Sequence, residues 1–412
     1  MEERRIYLDH NATTPTDPRV VEYMLPFFSD RFGNPSSVHR FGQEVAHVLD
    51  DSRASVAGFI GASTPDEIVF CAGGSEANNH AIVGTYLARR DKGNHIITTA
   101  IEHPAVLETC QFLEKQFGAE VTYLKPDKNG VVTAEQVAKA ITDRTILVSA
   151  MAANNEVGTI LPIAAMGRIC RDKGVLFHTD AVQAVGKIPI NVAEMNIDLL
   201  SSSAHKFYGP KGVGFLYIRK GIRIVPLIHG GHQEKSRRAG THNMPGIAGL
   251  AKALELRKAE MAAEAPRLIK LRERLWNGIN KLDYMTRISS APECLPGTLN
   301  ACFNFIEGEG ILLGLDAKGI AASTGSACTS GSLEPSHVLL AMGYPHEIAQ
   351  GSVRFGLGRS TTAADIDYVL EVLPPIVQRL REMSPLWSQG KPVDIRLVSG
   401  GMDESCETHE HE

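Results

Sequence analysis

Short apolar runs alternate with longer segments of helical spacing from about Asp66 to Ile218. Glu67–Phe70, His95–Thr99, Glu120–Leu124, Thr145–Ser149, Val175–His178 and Leu199–Ser202 read as strands. Between them, Ala/Glu/Lys/Leu-rich stretches such as Pro104–Phe117 and Ala134–Ile141 read as helices. This alternation predicts an α/β fold with a mainly parallel sheet covered on both faces. Gly212–Ile218 is expected to return as a further strand. From Pro245 to about Leu282 the pattern is helical with few breakers, which predicts a long connecting helix. Strand-like Thr298–Phe305 and helical Ala363–Arg381 predict a smaller α+β domain, with Leu386 and Trp387 its last packed residues.

Composition narrows the class. A chain of 412 residues is long for one core and implies two domains. A hydrophobic fraction of 43% with 22% charged residues is ordinary for a soluble globular protein. The net charge of −5, without a long basic run, argues against nucleic acid as a partner. No apolar stretch reaches the roughly 18 residues needed to cross a bilayer, and the start lacks the apolar core of a signal peptide. The expectation is a cytoplasmic protein with no membrane partner. The seven cysteines are sparse, odd in number and without a Cys-x-x-Cys pair. Neither a disulfide framework nor a metal site is expected, and most are expected to be buried, inert thiols. The His- and Glu-containing end after Asp403 reads as a solvated tail.

Candidate chemistry gathers at strand ends. Ser201–Gly212 places Lys206 in a Ser/His-rich turn after a strand, and Asp180 ends an earlier one. Taken singly, such a lysine reads as a surface residue and such an aspartate as a helix cap. Together they suggest a pyridoxal 5'-phosphate site, with Lys206 as Schiff-base lysine and Asp180 pairing with the protonated ring nitrogen. Glu67–His80 reads strand, glycine turn, helix. Gly74 and Ser75 at that helix start would hold the phosphate, although Ser75 also fits a plain N-cap. His103 before Pro104 fits a helix start. Cys328 sits in Ala321–Ser336, a run of small and polar residues that reads as a flexible loop. An exposed thiolate there suits a mobile nucleophile.

These motifs, from Tyr7-Leu-Asp-His-Asn-Ala-Thr-Thr14 to Trp387, resemble the cysteine desulfurases of the NifS/IscS type, in the class V aminotransferase group. Gly230–Glu234, Gly331–His337 and Phe177–Gln183 lean towards NifS. The resemblance implies a fold-type I pyridoxal phosphate enzyme. Its large domain would span 15–260, its small domain 1–14 and 261–388, and 389–412 would be a flexible tail. His103 would stack on the cofactor ring and handle protons. Asn155 and Gln183 would approach the phenolic oxygen, and Ser203 and His205 the phosphate. Thr241, in Arg237–Thr241, would reach the phosphate of a second subunit, making a homodimer obligatory. Arg354 would bind the substrate carboxylate with Asn34 as helper. Cys328 lies in the family's Gly-Ser-Ala-Cys motif and would carry a persulfide. The implied activity converts L-cysteine to L-alanine and passes sulfur to a NifU/IscU-type iron–sulfur scaffold. A selenocysteine lyase or an aminotransferase would share the cofactor residues, and Cys328 argues against both. A non-catalytic protein on this fold would have no need of Lys206, Asp180, His103 and Cys328 together.

Overall fold

The computed structural model describes residues 5–325, 335–388 and 390–392. A two-residue strand, β1 (Ile6–Tyr7), comes first. Seven strands then form the main sheet: β2 (Ile68–Cys71), β3 (His95–Thr99), β4 (Glu120–Leu124), β5 (Thr145–Ser149), β6 (Leu176–Asp180), β7 (Leu199–Ser203) and β8 (Gly214–Ile218). Their order is β2-β8-β7-β6-β5-β3-β4. Pairing is parallel throughout except at β8, which runs antiparallel to both neighbours. The expected return strand is therefore present. β6 runs two residues further than its apolar pattern shows, because Thr179 and Asp180 still pair with Leu200 and Ser201.

Alternate strand residues enter opposite cores, which is why each run carries at least two consecutive apolar residues. Phe70, Ile97, Val148, Phe177, Leu200 and Phe215 pack on one face. Val69, Ile96, Leu147, Leu176, Leu199 and Leu216 pack on the other. Helices Arg40–Ile60 and Ile163–Lys173 cover the first face, and Gly74–Arg89 and Pro104–Phe117 the second. One polar rung crosses the sheet centre. The buried His178 ring bonds Ser149 Oγ through Nδ1 at 2.8 Å and Ser201 Oγ through Nε2 at 2.9 Å. Burial pushes this imidazole down to about 3, so it is neutral and structural.

The helix Met244–Ile279 bridges two cores. Ile247, Leu250 and Leu254 join the main-sheet core, whereas Leu268, Leu271 and Leu275 join the core of a smaller sheet. That sheet contains β9 (Met285–Arg287), β10 (Thr298–Phe303) and, after the short β11 (Ile320–Ala321), β12 (Ser352–Gly356), in the order β12-β10-β9. The helix Ala363–Met383 packs on it, started by a capping box between Thr362 and Asp365. β1 pairs parallel with β11, and Asp9 bridges to Gly356. The first residues thus dock on this second core before the chain enters the main sheet. Trp387 packs edge-on against Tyr284 and beneath Arg381. Among the described residues, no helix is long and apolar enough to cross a membrane.

Candidate active site

The candidate residues converge at the carboxyl ends of the parallel strands, where open α/β sheets bind ligands. Gly73 and Gly74 follow β2, His103 follows β3, Asn155 follows β5, Asp180 ends β6, and Ser203 and Lys206 close β7.

The helix after β2 starts at Gly74 with Gly73 as N-cap, and no side chain caps it. Ser75 is exposed inside the first turn, so it is not the cap. A helix start of this kind presents free N–H groups to an anion. Gly74 is required sterically, since a Cβ there would lie 2.6 Å from Val182 Cγ2. Ser203 forms the opposite wall, with its Oγ 3.6 Å from where a Gly73 Cβ would sit. His205 Nδ1 meets Thr13 Oγ1 at 3.0 Å, and burial with the nearby Lys206 pushes its ring down to about 4. It is a neutral hydrogen-bonding group beside this cradle. Thr241 is exposed, and its neighbour Arg238 is ion-paired with Glu76 in the first turn of the same helix.

Asp180 is buried, and its two oxygens are held separately. Oδ1 accepts from the Val182 N–H at 2.9 Å, and Oδ2 accepts from Asn78 Nδ2 at 2.7 Å. The carboxylate is fixed for a partner that brings a proton and a positive charge. His103 caps its helix through Nδ1, which accepts from the Ala105 N–H at 3.0 Å. That contact leaves the neutral ring's proton on Nε2. Burial lowers the pKa, Asp180 opposes this, and Lys206 adds to it. Proton uptake at Nδ1 would displace the Ala105 N–H. The helix-start role of His103 is present, and it constrains any role in proton transfer.

Lys206 Nζ donates to the carbonyls of Asn11 and Ala12 at 2.7 and 2.6 Å. Gln183 Nε2 donates to the same Asn11 carbonyl at 2.8 Å. Arg354, on β12, is 2% exposed. Its Nη1 donates to the Asn155 carbonyl at 3.0 Å and its Nη2 to Asp9 Oδ1 at 2.8 Å. Among the described residues Nε is buried with no partner, so the guanidinium keeps donor capacity. Asn34 is exposed, and its Oδ1 accepts from the Ser36 N–H at 2.9 Å, serving its own loop. Cys328 lies outside the described residues. Cys71, Cys110, Cys170 and Cys302 are buried, and burial pushes each thiol up to about 12.

Several residues escaped the sequence reading. Asn78 orients Asp180, and its only sequence signal is an amide among the Ala and Ile residues of a helix. Asp9 and Asn11 line the site, and the density of polar residues between Tyr7 and Thr14 was their signal.

A helix start for a phosphate, a fixed carboxylate for a protonated ring nitrogen and an amine held on the Asn11 and Ala12 carbonyls fit pyridoxal 5'-phosphate. The comparisons agree. The aminotransferase class-V profile matches residues 6–369. Cysteine desulfurase IscS of Methanosarcina thermophila is 54% identical over 386 residues, 93% of this chain and 95% of the relative. A cysteine desulfurase of Gluconacetobacter diazotrophicus is 50% identical over 388 residues, 93% of this chain and 96% of its own. The solved structure of a NifS-like protein superposes with a TM-score of 0.85 at 41% identity, covering 92% of this chain and 99% of that one. SspA in complex with cysteine gives 0.77 at 39% identity, covering 85% and 98%. The chain belongs to the class-V aminotransferases, enzymes that depend on pyridoxal 5'-phosphate. Within that family its activity is that of a cysteine desulfurase.

Proposed function

We propose that the enzyme takes sulfur from L-cysteine as a persulfide on Cys328, releases L-alanine, and delivers the sulfur to iron–sulfur cluster assembly. The observation that carries this reading is the pairing of Arg354 with the chain leading to Cys328. Arg354 N–H donates to the Ser323 carbonyl at 2.6 Å, and Ser323 N–H donates back at 3.2 Å. The carboxylate-binding strand and the approach to the nucleophile are thus one hydrogen-bonded unit.

Bound pyridoxal phosphate supplies an electron sink for charge at the substrate Cα. Gly74, Ser75, Ser203 and His205 hold its phosphate, Asp180 its ring nitrogen, and Asn155 and Gln183 face its phenolic oxygen. Arg354 binds the substrate carboxylate, for which a guanidinium fork is suited, and Asn34 assists once its loop turns inward. Lys206 anchors the cofactor, then takes the Cα proton on Nζ after leaving the Asn11 and Ala12 carbonyls. His103 carries the proton of the substrate thiol at the cost of its Ala105 contact. The Cys328 thiolate attacks the substrate sulfur, forming an S–S bond as the C–S bond breaks. The electron pair of that bond stays on the substrate Cβ, which takes a proton, and Lys206 Nζ returns a proton to Cα to give alanine.

Two copies complete the site, with Thr241 of each reaching the other's phosphate. An exposed apolar patch supports this pairing: Leu25, Phe28, Phe32 and Phe41 are 56–66% exposed and Val38 90%. The setting is cytoplasmic, and the sulfur acceptor is a NifU/IscU-type scaffold. Mass spectrometry after brief exposure to L-cysteine tests the nucleophile. One added sulfur is expected on the peptide containing Cys328. Cys328→Ala should bind L-cysteine with a spectral change yet release no alanine. Added sulfur on another cysteine, or alanine from the variant at the wild-type rate, overturns the assignment.

A further inference from the structure

We propose that Lys187 is a positioning residue of this site: its ammonium fixes the Gln183 amide so that Nε2, and not Oε1, is offered to the cofactor. The proposal rests on the reading that Gln183 faces the phenolic oxygen. An amide can point either end at a ligand, and only its other partners decide which. Lys187 lies one turn after Gln183, in a tight segment held by Ala184 N–H and Val185 N–H to the Ala181 carbonyl, both at 2.9 Å. Lys187 Nζ donates to Gln183 Oε1 at 2.5 Å. In its charged form Lys187 has only donors, so Oε1 must face it and Nε2 must face away. The far side agrees, since Nε2 meets the Asn11 carbonyl, which only accepts. That carbonyl also takes Lys206 Nζ. Lys187 thus donates to Gln183 and Gln183 to the Asn11 carbonyl, on which Lys206 converges from the other side.

The surroundings are unfavourable for an ammonium that serves packing alone. Lys187 lines a small cavity of about 40 Å³ with His10, Asn11, Lys206, Arg257 and Glu264. Burial, followed by Lys206, Arg354 and Arg257, lowers its pKa to about 7, and Glu264 alone among these neighbours opposes the shift. Glu264 is itself ion-paired with Arg257. His10, also on the cavity, is pushed down by burial and is neutral. A methionine would fill the same space with no charge to desolvate.

The test is a pH titration of the bound cofactor's absorbance in the holoenzyme. Removing a donor from the phenolic oxygen leaves more negative charge there, and the conjugated nitrogen then holds its proton more tightly. Lys187→Met should raise the chromophore's midpoint by about one to two pH units, as expected for one hydrogen bond to a charged oxygen. Lys187→Arg retains a donor, has the cavity to occupy, and should titrate near wild type. Lys187→Ala removes the same donor and replaces the methionine variant if that one fails to hold cofactor. Gln183→Leu should shift the midpoint in the same direction, and adding Lys187→Met to it should change little more. A full further shift in the double variant means that Lys187 acts by charge alone, and the positioning role falls. An unshifted Lys187→Met beside a shifted Gln183→Leu overturns the proposal and leaves the Gln183 reading intact. If neither shifts, the Gln183 reading fails and the proposal fails with it.

Discussion

Asp180→Asn should separate the fold of the site from its electronics. The carboxylate accepts two hydrogen bonds, from Val182 N–H and from Asn78 Nδ2. An asparagine keeps one acceptor and turns an NH2 towards Asn78. Among the described residues Asn78 Oδ1 is buried with no partner, so rotating the Asn78 amide re-forms that bond with donor and acceptor exchanged. The count of hydrogen bonds is preserved, and the unfolding free energy should change by less than about 1 kcal/mol. Catalysis has no such compensation. A neutral amide cannot keep a proton on a ring nitrogen, and losing one fixed electrostatic contact of this kind lowers kcat by ~10² or more, about 2.7 kcal/mol in barrier. Alanine release from L-cysteine gives kcat, absorbance gives cofactor occupancy, and urea unfolding gives stability. A kcat near wild type at full occupancy would falsify the role of Asp180. A large loss of stability would refute the rotation of Asn78.

Lys206→Ala should abolish alanine release and the absorbance of the anchored cofactor; turnover that survives in this variant sinks the anchor assignment. Asp9→Ala removes the carboxylate from Arg354 Nη2 and leaves the guanidinium held through Nη1 by the Asn155 carbonyl. KM for L-cysteine should rise about tenfold with kcat changed far less, the equivalent of one charge-assisted hydrogen bond, and an unchanged KM contradicts this. Glu102 is fully buried beside His103, and burial raises its carboxyl from 4.5 to about 8. The unfolded chain releases this proton first, so its stabilising contribution is complete below 4.5 and is lost as pH rises towards 8. Glu102→Gln should remove that loss, seen as a stability difference from wild type that grows between those values; a pH-independent difference argues against it.

Local pattern made the main sheet legible, because each strand carries consecutive apolar residues and each helix between them has its own period. The anchor positions were legible for a related reason. Asp180 and Ser203 end strands and Lys206 follows one by three residues, so strand ends alone bring them to one edge. The inner wall was legible only in part. The resemblance named Arg354, but its pairing with Asp9 and, through the Asn155 carbonyl, its link to Asn11 join opposite ends of the chain, and no periodicity spans that distance. Lys187 was missed because a lysine one turn from a glutamine reads as a solvated side chain until the cavity around it is known. The orientation of His103 also needed coordinates, since His before Pro predicts the cap but not which nitrogen makes it.

The Asp9–Arg354 ion pair has a consequence for synthesis. Its partners are 345 residues apart, so Asp9 leaves the ribosome roughly 20 to 70 seconds before Arg354 at common elongation rates. Once Ile218 has emerged the main sheet has all its strands to pair, while β1 still waits for β11 at Ile320–Ala321 and Asp9 for Arg354. A nascent chain can therefore assemble Asp180, Ser203 and Lys206 with no inner wall in place. Substrate recognition becomes a late event, timed by the arrival of the last quarter of the chain. A ribosome that stalls before β12 leaves a folded sheet with a reactive lysine and no arginine to choose its substrate.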